Sequence, residues 1–209
     1  MLYNRCISIY PKYYSSYNNI GSVYFTIKKD FPAAIWNFKK ALEIHPDYVE
    51  ALYNMAYSFE MLGRVKRDSN LALEANSCFL SAVMNYKKAI ALKPDYVKAM
   101  GNLANIYYYE FKNLDSAIAV NKQIIHVDPA TDVPYVNLAN YSLRRGDTAM
   151  AMSYMEKAVQ LIPQNYQTYM RLSNYFRSKH DFIKADKYQQ LAEQAKRRMQ
   201  EMKNTKMVD

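Results

Sequence analysis

Asparagine recurs at two matched positions along this chain of 209 residues. Each carboxamide offers N–H donors and a carbonyl acceptor, so a row of them can pair with the backbone of an extended peptide whatever its side chains. Asparagine is a poor residue inside a helix, and helix propensity does not explain the pattern. The alternative is that these amides bond to one another or to a neighbouring helix and stack the repeats. The first series is Asn19, Asn54, Asn102 and Asn137, and the second is Asn105, Asn140 and Asn174.

These asparagines belong to a repeat that is marked by proline. Pro129 follows Pro94 by 35 residues and Pro163 follows Pro129 by 34, whereas Pro94 follows Pro46 by 48. The segments KKALEIHPDYVEALYNMA and KKAIALKPDYVKAMGNLA surround the first two of these prolines. A period near 34 residues indicates stacked helical units, and the longer interval indicates an insertion of about 14 residues.

The spacing of small and bulky residues in each unit resembles the tetratricopeptide repeat, a pair of antiparallel helices called A and B. Small residues at fixed positions let the two helices approach closely, and large residues fill the remaining gaps. The resemblance implies an all-α, right-handed solenoid of stacked antiparallel helix pairs. Residues 132–165 match the pattern without a gap, through Tyr135, Leu138, Ala139, Ala151, Met155, Ala158 and Pro163.

The resemblance divides nearly the whole chain into units. Because the first unit lacks its helix A, we expect the chain to be part of a longer protein; an isolated capping helix is the alternative. The units are the C-terminal half of a truncated repeat (1–13), repeat 1 (14–48), repeat 2 (49–96), repeat 3 (97–131), repeat 4 (132–165), repeat 5 with a capping helix (166–203) and a disordered tail (204–209).

The insertion in repeat 2 occupies about residues 64–81. Its polar beginning, residues 64–69, is predicted to be a loop. An apolar stripe from Asn70 onward predicts that helix B is lengthened by about three turns, with Leu71 and Leu73 at its protruding end. Elsewhere, Asp30 and Asp147 are predicted to cap the helices that follow them.

In arrays of this family, helix A lines the concave side, which implies where a partner binds. The amide row is similar to the asparagine ladder in the repeat region of O-GlcNAc transferases. The predicted groove is acidic and aromatic in repeat 2, through Glu50, Tyr53 and Glu60, and basic in repeats 4 and 5, where we expect an acidic part of the bound segment. The predicted peptide-binding residues are Asn19, Asn54, Tyr57, Asn102, Asn105, Tyr109, Asn137, Asn140, Arg144, Arg171, Asn174 and Arg177.

The formal net charge is +9 and the isoelectric point is about 9.3. Nucleic-acid binding is therefore an alternative, but it depends on charge alone. Many cations, such as Lys39–Lys40 and Lys87–Lys88, come late in helices, where they complement the helix dipole and face solvent. The sequence therefore favours a protein or peptide partner over nucleic acid. Lone carboxylates such as Glu60 and Glu110 are expected to be solvated.

The sequence contains no glycine-rich phosphate loop, no GxSxG and no HExxH. Its three histidines are scattered, and Cys6 and Cys78 are predicted to be buried thiols. We therefore expect no catalytic site, metal, cofactor or small-molecule substrate. No apolar run approaches the roughly 18 residues that span a bilayer. A cytoplasmic location is favoured, with a periplasmic or lumenal part of a larger membrane protein as the alternative.

The sequence thus predicts a non-catalytic scaffold that binds an extended segment of another protein. The alternative is an accessory region of a larger enzyme, such as a membrane-bound glycosyltransferase, whose catalytic domain lies outside these residues.

Overall fold

The computed structural model describes residues 13–205, with side chains through residue 201. Apart from Tyr13, the predicted half repeat at residues 1–13 lies outside the described residues, as do Cys6 and residues 206–209 of the predicted tail. Within them the chain is almost entirely helical and contains no strand. The helices are α1 (Tyr14–Val23), α2 (Phe31–Ile44), α3 (Val49–Asp68), α4 (Ala72–Leu92), α5 (Val97–Asn105), α6 (Leu114–Val127), α7 (Val133–Arg144), α8 (Thr148–Leu161), α9 (Tyr166–Ser178) and α10 (Phe182–Thr205).

Successive helices pack in pairs: α1 with α2, α3 with α4, α7 with α8, and α9 with α10. The predicted fold class, an all-α fold of repeated helix pairs, is confirmed.

A π-helical turn continues α1 over Tyr24–Lys28, and another continues α5 over Ile106–Glu110. The chain divides into two compact units at Val120, and we call the part before this point unit 1 and the part after it unit 2. No helix of the described residues is both long and apolar enough to cross a membrane.

Small residues let the paired helices approach. A Cβ atom added to Gly21 would lie only 2.7 Å from Cε1 of Phe38, so the glycine makes room for this ring. Gly63 and Phe79 repeat the arrangement in the next pair, at 2.8 Å. Alanines occupy most of the other small positions and have no exposed surface, and these are Ala34, Ala41, Ala82, Ala89, Ala117, Ala151 and Ala158.

The insertion in repeat 2 lengthens both of its helices. As expected, α4 is long, with 21 residues against 14 in α2. The prediction that residues 64–69 form a loop is wrong, because α3 continues through 20 residues to Asp68. Its polar side chains are paired instead of free: Arg67 contacts Glu110, and Lys66 contacts Glu74. Polarity that suggested a loop therefore supplies ion pairs between α3 and neighbouring segments.

The predicted helix caps are confirmed. The carboxylate of Asp30 accepts a hydrogen bond from the backbone N–H of Ala33 at 3.0 Å. Asp147 accepts one from Met150 at the same distance. Each cap satisfies a donor that the first turn of the helix leaves unpaired, and so fixes where the second helix of a pair begins.

Candidate functional site

A pocket of about 330 Å³ lies in unit 1. We call it the unit 1 pocket. It is formed mainly by α1 with its π-helical turn, α3 and α5, which are the first helices of three successive repeats. Three predicted binding residues, Asn54, Tyr57 and Asn102, line it. The lining residues are Ser22, Phe25, Thr26, Phe38, Tyr53, Asn54, Tyr57, Lys98 and Asn102.

Aromatic rings form one wall of the pocket. The rings of Tyr53 and Tyr57 stack with centroids 6.2 Å apart, and Phe25 contacts Tyr57 at 5.0 Å. The ammonium group of Lys98 lies 5.0 Å from the centroid of the Tyr53 ring. This wall presents flat apolar surface beside a positive charge, an arrangement that suits an apolar group with an anionic group near it.

A hydrogen-bonded network orients Asn102 in the pocket. Its Nδ2 donates to the hydroxyls of Tyr86 and Tyr53, at 3.0 and 3.2 Å. The Tyr86 hydroxyl donates its own proton to Oε2 of Glu60 at 2.9 Å, so it must accept from Asn102. Within the described residues, Oδ1 of Asn102 receives no hydrogen bond and remains free to accept one from a ligand.

Glu60, at the base of this network, is only 2% exposed. The expectation that it is solvated is therefore wrong. The guanidinium of Arg64 donates to its second oxygen at 2.7 Å. Burial raises the pKa of the Glu60 carboxyl, and the hydrogen bonds from Tyr86 and Arg64 oppose that rise. Burial, followed by the charge of Glu60, also raises the pKa of Tyr86.

The same correction applies to Glu110, whose side chain is 9% exposed. Both of its oxygens accept from Nη1 of Arg67 at 2.7 Å. The unpredicted extension of α3 carries Arg64 and Arg67 to these carboxylates. Of the two acidic residues expected in the early part of the groove, Glu60 is paired with Arg64, whereas the expected aromatic rings of Tyr53 and Tyr57 are present.

Two further predicted amides, those of Asn54 and Asn137, bond between helices. Nδ2 of Asn54 donates to Oδ1 of Asn18, and Nδ2 of Asn137 donates to Oδ1 of Asn121, both at 3.1 Å. Asn18 and Asn121 are buried and were not predicted as site residues. These contacts agree with the alternative that the amides stack the repeats. They occupy the donors of Asn54 and Asn137, while no described donor bonds to their Oδ1 atoms.

In unit 2, Nη1 of Arg171 donates to Oδ1 of Asn140 at 2.7 Å, so α7 and α9 bring these two predicted residues together. Arg177 instead bonds to Asp186 and Gln189 on α10. The structure therefore does not bring Arg177 to Asn140. The other predicted site residues do not line the unit 1 pocket; Asn105 is half-buried, and Asn19, Tyr109, Arg144 and Asn174 are exposed.

Phe25, Thr26 and Phe38 line the pocket but were not predicted. Phe25 and Thr26 lie in the π-helical turn, which shifts them relative to a regular helical register. In the described part of the chain, no three His, Cys, Asp or Glu side chains are grouped as a metal site. Cys78 is half-buried, less than predicted, and burial raises the pKa of its thiol.

Comparison with protein-family models matches residues 25–63 to a TPR repeat model and residues 134–165 to a tetratricopeptide repeat model. No curated protein matches the sequence significantly.

Solved structures show the same fold. MamA from Desulfovibrio magneticus RS-1 is 20% identical, with 88% of this chain and 95% of that chain covered and a TM-score of 0.65. PilF from Pseudomonas aeruginosa is 21% identical, with coverage of 87% and 76% and a TM-score of 0.61. A thermophilic TPR protein of Thermus thermophilus is 19% identical, with coverage of 81% and 84% and a TM-score of 0.58. The finer similarity to O-GlcNAc transferases stays a prediction.

Proposed function

Because this chain is a tetratricopeptide repeat protein, we propose that it is a non-catalytic scaffold that binds an extended segment of a partner protein in the unit 1 pocket. The observation that carries this proposal is the pocket itself, an aromatic recess on the first helices of three successive repeats. Phe25 and Tyr57 are half-buried and contribute most of the accessible aromatic surface, which gives contact area at low cost in side-chain entropy.

The carboxamides supply the polar part of recognition. With its Nδ2 held by Tyr53 and Tyr86, Asn102 presents Oδ1 as an acceptor of fixed orientation. Asn54 has its Nδ2 held by Asn18 in the same way. An extended peptide carries a backbone N–H on every residue except proline, so acceptors on neighbouring helices can bind main chain irrespective of sequence. The amides thus both stack the helices and bind the partner.

Lys98 supplies charge selectivity. Its ammonium lies over Tyr53 at the pocket, and it is not in an ion pair within the described residues. A ligand carboxylate close to the apolar anchor would pair with this cation. We therefore expect a segment with an apolar or aromatic side chain near an Asp or Glu. Arg171, hydrogen-bonded to Asn140 in unit 2, is proposed as a separate contact for an acidic group.

The test uses a phage-displayed library of random twelve-residue peptides as the probe. We expect selected peptides to combine an apolar residue with a neighbouring acidic residue. Tyr57→Ala and Asn102→Ala should each weaken binding of a selected synthetic peptide about tenfold, which corresponds to about 1.4 kcal/mol. Fluorescence anisotropy measures the dissociation constants.

The matched controls are Trp36→Ala and Asn76→Ala, an exposed aromatic residue and an exposed amide outside the pocket. Both should bind the peptide with unchanged affinity. The proposal fails if no peptide is selected, or if the pocket variants bind as well as the controls.

A further inference from the structure

We propose that two copies of this chain associate through α4, with their α4 helices antiparallel. The observation is an apolar row that faces solvent. Leu73, Leu80 and Met84 are 89%, 50% and 72% exposed. Together with Ser77 they form what we call the α4 stripe, in which successive positions are four, three and four residues apart. This spacing places all four on one face of the helix, as in the seam of a coiled coil.

The α4 stripe is distinct from the core of unit 1. The opposite side of α4 is packed through buried residues that include Phe79, Val83 and Tyr86. A helix that is apolar on both sides usually has a partner on each. Single exposed apolar residues need no explanation, but a contiguous row on one helix marks an interaction surface. The insertion in repeat 2 produces the beginning of this row, because it lengthens α4 at its N-terminal end.

Charge complementarity identifies the occupant as a second copy. Lys88 follows Glu74 by 14 residues, close to four full turns, so both lie on the same flank of the α4 stripe. In an antiparallel pair related by a two-fold axis, this flank meets itself in reverse order. Glu74 then faces the partner's Lys88, and the reciprocal pair forms at the other end. In a parallel pair this flank would instead face the opposite flank of the partner helix, and Glu74 would not meet the partner's Lys88.

The same register pairs the apolar residues. Its centre lies between Leu80 and Ser81, so Met84 is level with the partner's Ser77. The Leu80–Leu80 and Glu74–Lys88 pairs are each offset by one residue, about 1.5 Å along the helices, which side chains can span. Glu74 contacts Lys66 at 2.6 Å, and Lys88 bonds to the carbonyl oxygen of Pro46 at 2.9 Å. The side chains of Glu74 and Lys88 remain about half exposed, so both are accessible to a partner copy.

Sedimentation equilibrium over the micromolar range tests the association. We expect a monomer–dimer equilibrium whose dissociation constant rises at least about tenfold in Leu80→Glu and in Met84→Glu, because each places a charge in the seam. The control is Ile183→Glu on α10, which changes an 87% exposed isoleucine outside the stripe and should leave the equilibrium unchanged. A monomer at every concentration, or dimers that persist unchanged in both stripe variants, would overturn the proposal.

Charge exchange tests the partner and its orientation. In a Lys66→Gln background, which removes the partner of Glu74 within the same chain, Glu74→Lys and Lys88→Glu should each weaken the dimer, and the double variant should restore it by reversing both pairs. Failure of the double variant to recover would rule out the antiparallel register.

Disulfide formation gives an independent measurement. In a background where Cys6 and Cys78 are replaced by serine, Leu80→Cys should cross-link under mild oxidation because the two copies meet at this residue. Ser77→Cys should not, since its two copies are about 10 Å apart along the helices at 1.5 Å per residue. Cross-linking of both variants indicates a parallel pair, and cross-linking of neither indicates another surface; each result contradicts the proposal.

Discussion

The hydroxyl of Tyr86 links a buried carboxylate to an amide of the pocket, since it donates to Glu60 and accepts from Asn102. Tyr86→Phe removes this link without removing the ring. We expect a loss of about 1–3 kcal/mol in the free energy of unfolding, because Glu60 keeps its burial but loses a donor. Urea denaturation measures the change.

The control for this substitution is Tyr188→Phe, which removes a hydroxyl bonded to the half-buried Glu156. It should cost less, about 0.5–1.5 kcal/mol. Peptide binding separates the network from general stability: in the folded Tyr86→Phe protein, Asn102 keeps only its hydrogen bond to Tyr53, so its orientation is held less firmly and affinity should fall. Unchanged affinity would show that the orientation of Asn102 does not depend on Tyr86.

Glu60 also makes stability depend on pH. Burial raises the pKa of its carboxyl above the ordinary value of 4.5. The folded state therefore binds more protons than the unfolded state between these two pKa values, and stability falls as pH rises through this window. Glu60→Gln removes the titration, so wild-type stability should decline relative to the variant from about pH 4.5 upward.

Urea denaturation of the two proteins across this pH range gives the measurement. Because both proteins carry every other titratable group, the difference between their free energies of unfolding gives the pH dependence that is due to Glu60. A difference that is independent of pH, or one that changes in the opposite direction, would contradict the buried, raised-pKa description of this side chain.

The residues that line the pocket were predictable where the position of a residue within its repeat decides which face it occupies. Asn54, Tyr57 and Asn102 were assigned to a shared face, and the structure places them in one pocket. The burial of Glu60 was not predictable, because its partners Tyr86 and Arg64 depend on packing between helices. The residues next to a carboxylate in the sequence do not show which side chain of another helix will donate a hydrogen bond to it.

At the scale of helices, two glycines differ in the space around them: Gly21 is packed against a ring, whereas Gly101 has no close neighbour. Gly21→Ala forces a Cβ to within 2.7 Å of the Phe38 ring, whereas a Cβ at Gly101 meets no atom within 4 Å. We expect Gly21→Ala to lower the free energy of unfolding by about 1–3 kcal/mol through overpacking. Gly101→Ala should raise it by up to about 1 kcal/mol, because alanine is the better helix former.

Chemical denaturation of the two variants and the wild type distinguishes these effects. Both substitutions add one methyl group to the first helix of a repeat, so they form a matched pair. If both changed stability in the same direction, the close contact between α1 and α2 would not be what requires glycine at position 21.

Helix existence was more predictable than helix length. Asp30 and Asp147 mark the beginnings of α2 and α8 because a cap is a local interaction. The end of α3 was misplaced because Arg67 gains its partner, Glu110, from a segment 43 residues away. Periodicity and composition predict which face of a single helix is apolar. They do not predict which residues of separate helices contact each other.

For the whole molecule, the repeat period determined the order of the helix pairs, since each pair buries an apolar face against its neighbours. The π-helical turns after α1 and α5 and the division of the chain within α6 were not predicted. The period therefore specifies what is common to the repeats, whereas the pocket depends on where they differ.

Net charge is also a property of the whole molecule, and it predicts how binding responds to salt. With a formal charge of +9, the protein should attract any polyanion at low ionic strength. Binding of polyuridylate should therefore weaken steeply as salt is raised, since each phosphate contact releases a counterion. A peptide selected for the unit 1 pocket engages the single cation Lys98 together with apolar and amide contacts, so its affinity should fall much less.

Anisotropy titrations of both ligands over a salt series give the two slopes. Lys98→Ala should reduce the slope for the peptide while leaving that for polyuridylate almost unchanged, because one charge among many is lost. Lys39→Ala on the outer face of α2 serves as the control and should leave peptide binding unaltered. Tight, salt-resistant binding of polyuridylate that depends on Tyr57 and Asn102 would instead make nucleic acid the ligand of the pocket.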